Sequence, residues 1–167
     1  HKVVILDTET TGLDANAEVV QIGIIDTEGN ALLSTLIKPR GQIESGASRV
    51  HGITAEMLAD APTFEKVYPE LVRVLGQVGI VVAYNKAFDC QVLRRECRRR
   101  ELPYPEGGAR WSCAMNAYAA FYGGYRRAHK LTVACQQQGT EFAWQAHDAL
   151  GDCRATLALI QKMGAQV

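Results

Sequence analysis

Val3-Val4-Ile5-Leu6-Asp7-Thr8-Glu9-Thr10-Thr11-Gly12 decides how the rest of this chain reads. Val3–Asp7 is almost wholly apolar and β-branched, the pattern of a strand buried on both faces. Thr8–Gly12 leads out of it, and Gly12 marks a bend. Asp7 and Glu9 stand two residues apart at the strand's end, and pleating sends residues i and i+2 to the same face. Two carboxylates on one face repel unless a cation neutralises them or one keeps its proton. No basic residue adjoins them in sequence. Taken alone, the segment is either a solvated acidic turn or part of a cation site.

Outward from this strand, Val19–Asp26 and Ala31–Ile37 read as two more, with a turn at Glu28-Gly29-Asn30. Ile80–Tyr84 is a fourth strand of the buried type, and Trp111–Ser112 a short fifth. Helical spacing covers Ile53–Leu58, with Thr54 as N-cap, and a segment after Pro62-Thr63 carrying Val67, Leu71 and Leu75. Further helices are predicted over Ala87–Arg100, Ala114–Phe121, Leu131–Gln138 and Asp148–Met163. Three sequential strands followed by alternating helices and strands predict an α/β fold, a mixed five-stranded sheet flanked by helices. No repeat or long linker divides the chain, so residues 1–167 read as one domain.

Further acidic positions stand out against this frame. On a helical wheel, Ala87–Arg100 puts Phe88, Val92, Leu93 and Cys97 on one side, with Asp89 near the middle of it. A carboxylate on a buried face needs a partner or a metal, or else serves the helix start through backbone N–H groups and the dipole. Asp152 sits at the edge of the apolar stripe of the last helix, and His147 lies five residues before it at the helix entrance. The arginines at 94, 95 and 98–100 point mostly away from Asp89 and read as a solvated face. Arg126, Arg127, His129 and Lys130, in a loop preceded by glycine, are better placed to meet a phosphate.

Bulk properties narrow the field. With 18 Lys plus Arg against 18 Asp plus Glu, the net charge is zero, so no overall basic charge draws in a polyanion; the attraction must be local. No apolar run approaches the ~18 residues of a membrane span. The five cysteines form no C-x-x-C pair and read as reduced thiols of a reducing compartment, the cytoplasm.

Asp7-Thr8-Glu9-Thr10-Thr11-Gly12, Asn85-Lys86-Ala87-Phe88-Asp89 and His147-Asp148-Ala149-Leu150-Gly151-Asp152 closely resemble the three motifs of the DEDDh 3′→5′ exonucleases. That family includes the DnaQ-type proofreading subunits and has an RNase H-like fold. Arg49-Val50-His51-Gly52-Ile53-Thr54 resembles the family's substrate-side loop. The resemblance runs from Asp7 to Asp152 in the family's order, and the His147-to-Asp152 spacing is that of the histidine subclass. It implies two divalent cations, Mg²⁺ or Mn²⁺, held by Asp7, Glu9, Asp89 and Asp152, with His147 as general base. It further implies that Thr10, Leu13, Val50, His51 and Asn85 meet the terminal nucleotides of a nucleic acid with a free 3′ end, DNA rather than RNA. A polymerase or repair partner and a place near the nucleoid go with that implication, as does the lack of a long C-terminal tether. Rival readings are an exoribonuclease with the same chemistry, a catalytically silent nucleic-acid-binding domain and a single-metal phosphatase. Two positions depart from the family: Tyr84 stands where many members have His, and Lys86 where a small residue is usual.

Overall fold

The computed structural model describes residues 2–123, 127–140, 144 and 146–165. Its centre is β1 (Val3–Thr10), which pairs antiparallel with β2 (Val19–Ile25) and parallel with β4 (Ile80–Ala83). With β3 (Ala31–Leu36) and β5 (Arg110–Cys113) these form a mixed five-stranded sheet ordered β3-β2-β1-β4-β5. The α/β fold and all five strands match the sequence reading, with one useful difference: β1 runs three residues further, to Thr10. Polar Thr8 and Glu9 stay in the strand because Ile22 and Gln21 of β2 pair with them. Backbone pairing outweighs a locally loop-like sequence.

Alternation then sorts the faces. Val4 and Leu6 of β1, Ile22 and Ile24 of β2, and Val81 and Ala83 of β4 share a core with α3 (Phe64–Leu75) and α4 (Lys86–Arg99). Ile5, Ile25 and Val82 point the other way, where Cys153 and Leu157 of α7 (Ala149–Ala165) cover them. Tyr118 of α5 (Ala114–Phe121) and Ala134 of α6 (Leu131–Gln138) pack with Leu159 of α7 on that side. Thr54 caps α2 (Ala55–Leu58) as predicted, accepting the Met57 N–H at 3.3 Å.

Two expectations need correction. The stretch read as a loop before Gly52 is a helix, α1 (Ser45–His51), of which only His51 is buried. Its sequence lacks an apolar stripe; the Glu44 N–H on the Thr11 carbonyl, at 2.8 Å, and the buried His51 fix it from outside. The arginine run of α4 is not simply a solvated face. Arg94 pairs with Glu106 at 2.8 Å, Arg99 with Glu96 at 3.0 Å, and Arg100 with both Glu96 and Glu65 at 2.6 Å. Glu96 also accepts the Val19 N–H at 3.1 Å, so these charges tie α4 to β2 and α3.

The seat of α7 depends on Gly23. A Cβ there would lie 2.9 Å from the Leu150 N and 3.0 Å from the Ala149 carbonyl carbon, backbone that cannot step aside cheaply. Gly23→Ala should push the start of α7 off the sheet and cost about 1–3 kcal/mol, the range for overpacking. Thermal melts should show the loss, and activity should fall further than stability alone explains because Asp152 rides on α7. Unchanged melting and activity would mean the helix tolerates displacement.

Candidate active site

β1 outruns its parallel neighbour. Pairing with β4 covers Val3 to Ile5, so beyond Ile5 that edge of β1 has no strand partner. Asp89 fills the gap from the first turn of α4: its Oδ1 accepts the Thr8 N–H at 3.1 Å and the Thr8 hydroxyl at 2.7 Å. The centre of an apolar helix face thus carries a carboxylate 3% exposed, and it is the strand edge that supplies its hydrogen bonds. The site lies where chains leave β1 and β4 in opposite directions, the usual place for a crevice in an open sheet.

The other side is built by the entry to α7. Asp148 caps the helix, its Oδ2 accepting the Gly151 N–H at 3.1 Å. Gln21 of β2 grips this cap from both directions, donating to Asp148 at 3.2 Å and accepting the Ala149 N–H at 2.9 Å. One turn on, the Asp152 carboxylate accepts the His147 N–H at 3.1 Å and the Trp144 indole N–H at 3.1 Å. These bonds hold His147 at φ +65°, a left-handed backbone that non-glycine residues rarely adopt. The His147 side chain is exposed at the site. One ligand-type atom each from Glu9, His147 and Asp152 lie within 4.8 Å of one another, a group able to coordinate a divalent metal.

Electrostatics mark the site more strongly than geometry. Burial raises the Asp7 carboxyl well above its usual range, and the charges of Asp89, Asp152, Glu9 and Asp148 raise it further. Four neighbouring acids thus act on Asp7, and its Oδ2 is buried without a hydrogen-bond partner among the described residues. Glu9 is pushed up to about 9 by burial and then by Asp152 and Asp89. Burial also lifts Asp89, to about 7 even against the Thr8 hydrogen bonds, and Asp152. Among the causes of these shifts no lysine or arginine offsets the acids. An orphaned buried oxygen among oxygen donors of one sign fits hard divalent cations.

The exonuclease family model, of the RNase T type, matches residues 4–160. The uncharacterised exonuclease CP81 of Escherichia phage 186 is 36% identical over 171 residues, covering 96% of this chain and 87% of that protein. This chain belongs to the DEDDh exonuclease family. A solved structure of exonuclease X in complex with 5′-overhanging duplex DNA matches with TM-score 0.77 and 28% identity, over 98% of this chain and 92% of that one. The PolC-type DNA polymerase III of Thermotoga maritima is 41% identical over 95 residues; these are 54% of this chain and 7% of the polymerase.

In this exonuclease the acidic cluster opens into a cleft of ≈ 760 Å³. All five residues of the predicted catalytic set line it, together with Thr10, Leu13, Val50, His51 and Asn85. Leu13 and Val50 are apolar yet 86% and 56% exposed. His51 is buried, with Nε2 on the Thr10 carbonyl at 2.9 Å and Nδ1 accepting the Ile53 N–H at 3.1 Å. Both ring nitrogens are thus engaged by backbone. Thr8, Gln21, Asp148 and Trp144 escaped the sequence reading, and Gln21, a lone amide in an apolar strand, was the visible clue. Of the loop singled out for phosphate, Arg126 lies outside the described residues; His129 and Lys130 line the cleft, and Arg127 is exposed beside them.

A carboxyl raised on folding holds its proton more tightly in the native state, so its contribution is complete at low pH and is lost as pH climbs through the folded value. For Asp89 and Glu9 that window runs from about 4, the ordinary carboxyl value, up through about 7 and about 9. Glu65, lowered to about 2 by its hydrogen bonds and Arg100, acts below that window. Melts of EDTA-treated protein should therefore show the site destabilising the fold between pH 5 and 9. Added Mg²⁺ or Mn²⁺ should raise the melting temperature more at pH 8 than at pH 5.5, and Asp7→Asn should stabilise the metal-free protein at pH 8. A larger metal effect at the acid end would contradict the assignment.

Proposed function

We propose that this exonuclease shortens DNA from its 3′ end with two divalent cations, Mg²⁺ or Mn²⁺, and releases nucleoside 5′-monophosphates. The observation that carries this reading is the convergence of Asp7, Glu9, Asp89 and Asp152, all raised in pKa, on one cleft with the exposed His147. Asp7, Glu9, Asp89 and Asp152 would hold the cations, with Glu9 and Asp152 grouped beside His147. When bound, the cations would supply the positive field that lets a neutral chain take a polyanion, acidify water and offset charge growing on the leaving oxygen.

The chain's own residues do the rest. A ring nitrogen of His147 takes the proton of the attacking water. That oxygen forms the new P–O bond while the bond from phosphorus to the 3′ oxygen of the preceding nucleotide breaks. Asp152 holds the His147 backbone, so it positions the base as well as acting as a ligand. Thr10 and Asn85 offer polar groups to the terminal nucleotide, and Leu13 and Val50 offer apolar surface that accepts any base. His51, with both ring nitrogens engaged, holds α1 against Thr10 and so sets where Val50 stands. DNA is favoured over RNA because one relative is a DNA polymerase and another was solved with duplex DNA. The likeness to part of a polymerase supports a polymerase or repair assembly as context. The free state of the five cysteines suits a reducing cytoplasm, and among the described residues no helix is long and apolar enough to cross a membrane.

The test is incubation of 5′-labelled single-stranded DNA, and of a matched RNA, with Mg²⁺, Mn²⁺ or EDTA. A ladder shortening from the 3′ end of DNA, absent in EDTA, is expected; internal cuts or metal-independent cleavage would overturn the reading, and faster loss of RNA would reassign the substrate. Asp7→Ala and Asp152→Ala should lose activity by about 100- to 1,000-fold, the scale of a lost electrostatic stabiliser. His147→Ala should lower kcat by about 100- to 10,000-fold, the range for general-base loss, while Mn²⁺ binding by calorimetry persists.

A further inference from the structure

Helix α1 is a partition with a concavity on each side. Gly46, Ala47, Val50 and His51 face the acidic cleft. Ser45, Ser48 and Arg49 face a second groove of ≈ 630 Å³, lined otherwise by the segment before α1 and by α2. A groove of this size suits a small ligand.

Its charge is the reverse of the cleft's. Lys38 and Arg49 line it, and no carboxylate does. Both cations are exposed, and neither takes part in the ion pairs found among the described residues. In a chain of zero net charge, two uncommitted cations on one concave surface focus a positive potential there. The Glu18 carboxylate nearby is already engaged. It accepts the Arg40 N–H at 2.9 Å and the Gly41 N–H at 2.8 Å, and Arg100 stands 3.9 Å away.

The groove is also preformed. Those bonds fix the backbone at residues 40 and 41, and the Lys38 N–H donates to the Pro62 carbonyl at 2.8 Å. The Ser48 hydroxyl donates to the Ile53 carbonyl at 2.7 Å and ties α1 to the turn before α2. Among the lining residues, Leu58 is buried and Ile43 partly buried, both packed with Val20 and Ile53. Two cations and an apolar floor in one groove match a phosphate joined to a flat ring with apolar faces.

We infer that this groove binds a nucleoside 5′-monophosphate, with Lys38 and Arg49 on the phosphate and the base against Ile43 and Leu58. The choice of ligand rests on the exonuclease reading, because that activity releases this compound one helix away. The groove itself is separate from the acids and needs no metal. A strand track would need a cation for each successive phosphate, and only these two line the groove.

Removing metal isolates the groove, since the metal-free cleft is acidic and repels phosphate. Calorimetric titration of the EDTA-treated protein with thymidine 5′-monophosphate should show one site, with thymidine and inorganic phosphate both binding more weakly. Lys38→Gln and Arg49→Gln should each weaken the nucleotide by about ten-fold, the scale of one lost hydrogen bond to a charged group. Both side chains are exposed, so melting temperatures should not move. Lys130→Gln, in the cleft, should leave binding unchanged. No binding in EDTA, or wild-type affinity in both groove variants, would overturn the site. Inorganic phosphate bound as tightly as the nucleotide would also overturn it, as would a ten-nucleotide oligothymidylate bound more tightly with the same losses in the variants, the mark of a strand track. Hydrolysis is read separately: protein that binds the nucleotide in EDTA yet leaves DNA intact with Mg²⁺ would keep the site and sink the exonuclease reading. Protein that shortens DNA but binds no nucleotide in EDTA would do the reverse.

Discussion

Mutual repulsion among Asp7, Glu9, Asp89 and Asp152 is the constraint around which the rest of the molecule is arranged. Carboxylates gathered under low dielectric, with no lysine or arginine among the causes of their shifts, resist ionisation, and the raised values of Asp7 and Glu9 express that cost. The fold nevertheless holds them in place. Thr8 fixes Asp89 through two hydrogen bonds, the His147 N–H and the Trp144 indole fix Asp152, and Asp7 and Glu9 are set by strand pairing with β2. Stability is given up locally so that these acidic oxygens stand together in one cleft.

The distribution of positive charge follows from the same constraint. Arg94, Arg99 and Arg100 are committed to Glu106, Glu96 and Glu65 at the far end of α4, and Arg40 also reaches Glu65. These pairs join helices to the sheet and hold these arginines away from the acids of the cleft. A cleft this acidic repels nucleic acid until divalent cations reverse its field. The zero net charge and the nuclease fold are therefore compatible: attraction is switched on locally.

Rigid elements supply the precision. Gly23 lets the α7 backbone approach the sheet, Asp148 and Gln21 set the first turn of that helix, and His147 is held in a left-handed conformation beside it. The His147 imidazole is thereby placed from its backbone outward. Its ring remains exposed, free to face substrate.

Much of this was legible in the chain itself. Runs of β-branched residues located the strands, the two-residue spacing of Asp7 and Glu9 put them on one face, and the wheel of α4 exposed Asp89 as misplaced. Local periodicity carries such information because pleat and helix pitch are properties of the backbone. Other features had no local signature. Thr8 and Glu9 belong to β1 only because β2 pairs with them, and α1 is a helix only because His51 and Thr11 hold it. The arginines of α4 looked solvated because Glu106 and Glu65 come from other segments. Which of the acids lie together was decided by contacts between residues far apart in sequence, and only the closed tertiary structure brings those into range.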